Sequence, residues 1–571
     1  MERERSLGRR APLLWLLLPL LAGLALGRAL PPGAGGKWWL AGAAAGLGMA
    51  ASGLVTTGRA ARGRWAAGLI AAGFCGGVAD LQWHEHRLAI WERLPPREAE
   101  VVLQVEFVFP AGAGRPTVSG FARIESAPRV IAETTGQLVY FSLKPGDGLP
   151  EVLPTSCLRA VGVLEPVARH PAGGGFDAAV ADAGAGFRLT RGRVLGETRP
   201  ASGLQRFYVR ARHRFEHVLG LGLDRQPELR AMYVAILLGR KAELSGEQRE
   251  LFKESGTMHL VVVSGLHIAV IWEALSVLLA ALRVPRIPAT ALGLALLYLY
   301  VEITGAAPAA MRAWLMIFFV LAGGALSWPP NPLAGITASA LVVVLVDPWV
   351  FFGASFRMSY GVVAALLLYG LTLDERLQRR WRPWAGLPEA NWGWWRKAIR
   401  WIGRSGLSGV SISVTAGLVS ALTSVSIFGL LTPGSLATNV LLVPVALFAV
   451  VAGFAALVTG LAGLAPVAAF FNHAGIVVLW VVEHALATAV RWPVMHWPAE
   501  FRTAWLGSAA LAVLLAVMFW GYGRGWRRSI GGLWLPVGLV LLVVLLGVRH
   551  GAPASAAGLP APLPPAIAHS P

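Results

Sequence analysis

The run MHLVVVSGLHIAV, Met258 to Val270, is almost wholly apolar yet carries a serine and two histidines. Ser264 and His267 are three residues apart, so on a helix they share a face. A hydroxyl beside an imidazole is the pairing used for nucleophilic catalysis. That chemistry also needs an oxyanion hole and a base that approaches from outside the nucleophile's own helix. Position 262 is Val262 and the base sits on the same helix, so an intramembrane hydrolase is discounted. His84 and His86 in WHEHR fall short of a zinc motif because position 88 is Leu88. They read as a polar cap on a helix end, and neither a metal nor a cofactor is expected. Arg312, in an apolar run, suits either a phosphate contact or an internal ion pair with Glu302 or Glu273.

The elements that must position these groups are set by composition. The chain has 571 residues, 55% hydrophobic and 14% charged, with a mean hydropathy of +0.59. These values indicate a polytopic α-helical membrane protein. Roughly thirteen apolar runs are long enough to span a bilayer, near 11–30, 38–57, 65–82, 257–281, 287–304, 308–326, 333–350, 353–372, 408–430, 436–460, 466–490, 504–521 and 533–548. The net charge of +19 is largely a positive-inside bias and does not by itself imply nucleic-acid binding. Arginines before the first run, at 59–64, in the basic stretch 373–407 and at 521–529 all fall inside in one topology. That topology puts the N-terminus inside and 83–255 outside.

Segment 83–200 has a different texture. VVLQVEFVF at 101–109 alternates with the period of a half-buried strand, and runs at 118–124, 137–143, 158–164 and 187–195 follow it. Five strands over this length suit a small inserted β-barrel, OB-like, on the outer side; a sandwich fits the pattern almost as well. Its exposed cations Arg115, Arg123, Arg129 and Lys144 are candidate DNA contacts, with solvated surface as the alternative. The expected organisation is N-terminal transmembrane helices over 1–82, the β domain over 83–200 and amphipathic interfacial helices over 201–255. A transmembrane channel domain follows over 256–548, then a disordered tail over 549–571. Arg206, Arg210 and Arg214 form a basic stripe beside Phe207, Ala211 and Phe215, the pattern of a helix at the membrane surface.

Several blocks resemble the ComEC-type competence DNA channel family. AILLGRKAELSGEQRELFKESGTMHLVVVSGLHIAV supplies Leu237, Leu238 and Gly239, then His259, Leu260, Ser264, Gly265, Leu266 and His267. TGAAPAAMRAWLM supplies Thr304, Gly305, Pro308, Arg312 and Met316. Asn331, Pro332, Asp347, Pro348, Ser355, Phe356, Ser359 and Tyr360 follow in the family's order, then Phe428, Gly429, Asn439 and Pro444. GGGFDAAVADAGAGFR at 173–188 stands for the family's Gly-Phe-Asp segment. Where the family has Phe-Gln-x-Ser, this chain has Phe356, Arg357, Met358 and Ser359. Many members also carry a metallo-β-lactamase-like domain; its zinc motif is not expected here and its nuclease activity is not carried over.

The resemblance implies an inner-membrane channel that takes up single-stranded DNA during natural transformation. It also implies an outer DNA receptor and a cytoplasmic helicase-like motor as partners, besides membrane lipid. No GxxxxGK[ST] occurs, so any ATP-driven pulling comes from elsewhere; with no zinc nuclease motif and the hydrolase discounted, the expectation is a conduit and not an enzyme. Candidate residues along the DNA path are His259, Ser264, Gly265, His267, Arg312, Arg357, Ser359 and Asn439, with structural packing as the alternative for the histidines. A second class stays open on the residues alone: a secondary transporter or exporter of an anionic small molecule or lipid precursor.

Overall fold

The structure is a computed structural model. It describes residues 11–551 except 32, 34, 90–94, 110–116, 147–150, 169–175, 241–242, 262, 326–330, 385, 387–391, 504 and 525–530. Arg115, the arginines before residue 11, the basic run 525–528 and the tail from 552 lie outside the described residues.

Three helices open the chain: α1 (Leu14–Ala29), α2 (Gly36–Val55) and α3 (Arg59–Ala89). They approach closely because small residues face each other. A Cβ on Gly46 would meet the Ala72 backbone nitrogen at 2.6 Å, and one on Gly68 would meet the Ala50 nitrogen at 2.4 Å. Small residues of this kind let membrane helices touch backbone to backbone.

Five strands follow: β1 (Arg97–Val108), β2 (Val118–Ser126), β3 (Leu138–Lys144), β4 (Cys157–Pro166) and β5 (Phe187–Arg199). They close into a barrel of order β1-β2-β3-β5-β4. Only the β3–β5 pairing is parallel. The alternation read at 101–109 is the inside–outside alternation of β1, with Val101, Leu103 and Val105 in the core beside Phe141, Leu143 and Leu189. Each fully buried side chain of this size contributes about 1.5–3 kcal/mol, enough to fix the register. A short helix, α4 (Phe176–Asp182), precedes β5.

The barrel docks on the helices through α4. Arg28, in the last turn of α1, meets Asp182 at 2.6 Å and stacks 4.5 Å over Phe352. Gly184, at φ +77°, admits Trp349: a Cβ there would lie 2.6 Å from the indole.

Three helices then connect the barrel to the bundle: α5 (Gly203–Gly220), α6 (Pro227–Leu238) and α7 (Gly246–Glu254). The expectation of interfacial helices over 201–255 needs correcting for α6, which buries every residue from Met232 to Leu238. It is a core element, clad on all sides.

The bundle contains α8 (Gly265–Ala281), α9 (Arg286–Ile303), α10 (Pro308–Ala325), α11 (Pro332–Val346), α12 (Ala354–Arg380), α13 (Trp394–Phe428), α14 (Ser435–Leu461), α15 (Ala465–Ala489), α16 (Leu506–Gly523) and α17 (Trp534–Gly547). Among the described residues, seven helices are long and apolar enough to cross a membrane, and five more apolar helices have 10–17 residues. Two boundaries differ from the sequence reading. The run 257–281 is not one helix: a 3-10 turn at Met258–Leu260 and a break precede α8. The basic stretch 373–407 is mostly helix, because α12 continues to Arg380 and α13 starts at Trp394.

The helices pack around two cores. One gathers α6, α8, α9, α10, α14 and α15; the other gathers α1, α11, α12, α13, α16 and α17. At the barrel-facing end a small sheet joins Leu430–Leu431, Trp497–Phe501 and Val548–His550.

Candidate functional site at the barrel-facing end of the bundle

The polar residues of the signature lie at helix ends, because an end leaves backbone groups that polar side chains can satisfy. Ser264 is the N-cap of α8 and His267 its third residue. The His267 backbone N–H donates to Ser264 Oγ at 3.5 Å, while the Ser264 backbone N–H donates to His267 Nδ1 at 3.0 Å. Ser264 Oγ also lies 2.9 Å from Nδ1. This is a reciprocal capping box with histidine in the place usually taken by Glu or Gln. Because Nδ1 accepts from the backbone, hydrogen bonding assigns the ring proton to Nε2. His267 is buried. The pair read as possible chemistry therefore starts a helix.

The other blocks converge on the same end. Gly239 ends α6 in the left-handed conformation, φ +76°. There a Cβ would press on Val263 at 3.2 Å and lie 3.8 Å from the Thr304 carbonyl oxygen. The Tyr300 hydroxyl donates to the Leu237 carbonyl. Gly265 packs against Ala313, the neighbour of Arg312. His259 hydrogen-bonds the backbone of Gly256. Gly256, at φ +69°, sits against Ser435 and Thr432, and Thr438 Oγ1 donates to the Ser255 carbonyl at 3.4 Å. Asn439, one turn into α14, has a buried Oδ1 without a partner among the described residues.

Arg312 sits one turn into α10 and is 2% exposed. Its Nη2 donates to the Ser355 carbonyl at 2.9 Å and to Ser355 Oγ at 2.6 Å. The ion pair with Glu302 or Glu273 considered for it is not present among the described residues; Glu302 instead faces the Tyr298 hydroxyl. Arg312 Nε has no partner there. Arg357, one turn into α12, donates to Ser508 Oγ at 2.9 Å and to the Phe352 carbonyl at 3.1 Å. Neither arginine meets a carboxylate within ion-pair distance among the described residues. Ser355 lies two residues from Arg357 and is exposed, while Ser359 is half-buried. Arg312 links the two cores, its charge solvated by a hydroxyl and a carbonyl, while Arg357 stays within the second core, where Asp182 acts on it from beyond ion-pair distance.

The candidates on the barrel are differently placed. Arg123 pairs with Glu106 and also reaches the Gly136 carbonyl at 3.3 Å, so it is not a free cation. Arg129 and Lys144 are exposed. His84 Nδ1 lies 2.8 Å from the Asp80 carbonyl, within its own helix.

Several working residues carried no sequence signal as partners, among them Ser355 for Arg312 and Tyr300 for Leu237. Asn472, whose amide donates to the Val218 and Leu221 carbonyls at 2.8 and 3.1 Å, was discoverable as a lone amide in an apolar run. The inner face of α5 is bolted to the same end. Arg212 Nε donates to the Ile303 carbonyl at 2.6 Å. Burial lowers the Arg212 pKa, nearby Arg240 adds to the shift, and Glu216 opposes it.

A family model described as "Competence protein" matches residues 236–524, which includes the signature blocks from Leu237 to Pro444. "ComE operon protein 3" of Bacillus subtilis (strain 168) is 32% identical over 142 residues, which are 25% of this chain and 18% of that relative. The chain thus matches less than a fifth of that relative's length. No solved structure matches. With the family's match running over half the chain, and with its blocks meeting at one end of the bundle, this chain belongs to the competence protein family.

Proposed function

We propose that this protein is the inner-membrane channel through which single-stranded DNA enters the cell during natural transformation. The N-terminus lies in the cytoplasm, and the barrel, OB-like in its strand order, receives DNA on the outer side. The strand enters the bundle at the barrel-facing end, past Arg312 and Arg357. The observation that carries this reading is Arg312, a buried cation without a carboxylate partner among the described residues. A buried charge lacking a counter-ion costs several kcal/mol, and ionisable groups inside membrane proteins mark substrate pathways. A passing phosphate would supply the missing negative charge. Ser355, exposed beside Arg312, adds a neutral donor to that path. His267 shapes the entrance by starting α8 cleanly, with Gly265 set against Ala313 of α10, and the role is conduction, not catalysis. Force for transport comes from a cytoplasmic helicase-like motor, and DNA arrives from an outer receptor.

Deleting the gene tests the reading. Transformation by added DNA is expected to disappear while DNA still binds the cell surface. Unchanged transformation would refute the proposal.

A further inference from the structure

We propose that the outward face of α5 is a phosphate track that carries single-stranded DNA from the barrel to the bundle, an inference that rests on the channel reading above. The helix starts where the barrel ends: the Ser202 backbone N–H donates to Thr155 Oγ1 at 3.0 Å, three residues after β5. Its inner face crosses the α9–α10 turn, where Arg212 holds the Ile303 carbonyl, one turn short of Arg312. It therefore bridges the two places the strand must visit.

Its outer face presents Arg206, Arg210 and Arg214, all exposed. None has an ion-pair partner among the described residues. Acidic groups at this helix are engaged elsewhere: Glu216 with Arg240 and His213, Glu151 with His213, and Glu302 with the Tyr298 hydroxyl. The i, i+4, i+8 spacing sets the guanidinium groups about 6 Å apart along the axis. A single strand freed from duplex stacking can stretch its phosphates to meet such a row. Phe207, 44% exposed, stands beside the row as a surface on which a base can stack, the usual complement to a cationic groove.

A membrane-surface role was the expectation for this helix, and the packing argues against it. A helix lying in the lipid interface needs its apolar stripe free along its length. Here Phe215 is turned inward against the helical core, Ala211 is half-buried, and Tyr208 is buried. The remaining exposed apolar side chains, Leu204 and Phe207, are confined to the first two turns. Most of the stripe is engaged in protein packing, and arginine is left facing out.

The test uses the full chain in detergent and a fluorescent oligothymidylate, with affinity measured across salt concentrations. For single strands the slope of log K against log salt is about −0.7 per phosphate contact. Replacing all three arginines (Arg206→Gln, Arg210→Gln and Arg214→Gln) is therefore expected to reduce the slope by about 2 and to weaken binding at low salt at least about tenfold. The triple lysine variant, which keeps the charge and guards against misfolding, is expected to retain the slope. An unchanged slope in the glutamine variant, with the wild type binding normally, would overturn the track alone. So would a glutamine variant that binds DNA normally but loses stabilisation by anionic phospholipid, which would assign the face to the membrane. No binding by the wild type at any salt would overturn the track together with the channel reading beneath it.

Discussion

The barrel and the mouth of the bundle use arginine in opposite ways. On the barrel, Arg123, Arg159, Arg188, Arg191 and Arg199 each meet a carboxylate, on Glu106, Glu100, Glu165 or Glu125. The Arg123, Arg159 and Arg199 pairs are largely exposed, so each contributes little to stability, about 0–1 kcal/mol, while Glu165, 10% exposed, takes both Arg188 and Arg191. At the mouth, Arg312 and Arg357 are held by serine hydroxyls and backbone carbonyls with no carboxylate at ion-pair distance among the described residues, and Asp182 acts on Arg357 from farther off. Hydrogen bonds to a charged group are strong, but they leave the Arg312 charge uncancelled. Neutralised arginine is architecture, and uncancelled arginine is the kind of group that handles anions.

The sharpest way to break this contrast is at Arg312. Arg312→Glu is expected to abolish DNA uptake. Arg312→Ala should lower it about 100-fold, the equivalent of losing a charge-assisted contact worth roughly 3 kcal/mol. Arg312→Lys should keep part, since a point charge still attracts phosphate. Exchanging charges with Glu302 should not restore uptake, because Ser355 and not Glu302 is the partner. Uptake measured at matched membrane abundance checks all four, and rescue by the exchange would return Arg312 to a structural pair.

Ser355→Ala comes next. It removes the hydroxyl and leaves the carbonyl, so uptake should fall about tenfold, in line with roughly 1.4 kcal/mol for one hydrogen bond to a charged group. Uptake equal to wild type would mean that the hydroxyl is dispensable for holding Arg312.

Ser264→Ala addresses the helix start. Loss of an N-cap costs about 1 kcal/mol, so thermal unfolding of the purified protein should begin about 1 °C lower for a chain of this size. If the serine were instead a nucleophile, stability would be unchanged while activity vanished.

The smallest effect is expected on the barrel. Arg123→Gln breaks an exposed ion pair and should shift stability by no more than about 1 kcal/mol, with uptake unaltered. A loss of uptake comparable to that of Arg312→Lys would erase the distinction between the two regions.

What could be read in advance follows the range of the forces involved. The five strands were legible because alternation is local: Val101, Leu103 and Val105 declare their face within one segment. The apolar helices were legible for the same reason. The break before α8 was not, because MHLVVV is as apolar as the helix after it; only the Ser264–His267 reciprocity, a matter of three-dimensional geometry, marks the start. The α12 and α13 overhangs were missed because basic residues read as loop, although Arg376, Arg379 and Arg380 fit a helix that projects beyond the apolar layer. At the site, Arg312 stood out as a cation in an apolar run. Its partner did not, since Ser355 lies 43 residues away and contributes a carbonyl that every residue has.

Crosslinking a strand in transit tests the central claim most directly. A photoreactive amino acid would replace Leu266, 40% exposed beside the capping box, with a control at Leu545, 71% exposed in the last helix. Cells taking up labelled DNA would then be irradiated. The account predicts adducts between the single strand and position 266, none at 545, and loss of the 266 adduct when Arg312→Glu is added. Adducts of equal yield at both positions, or none at 266 while DNA enters normally, would contradict it.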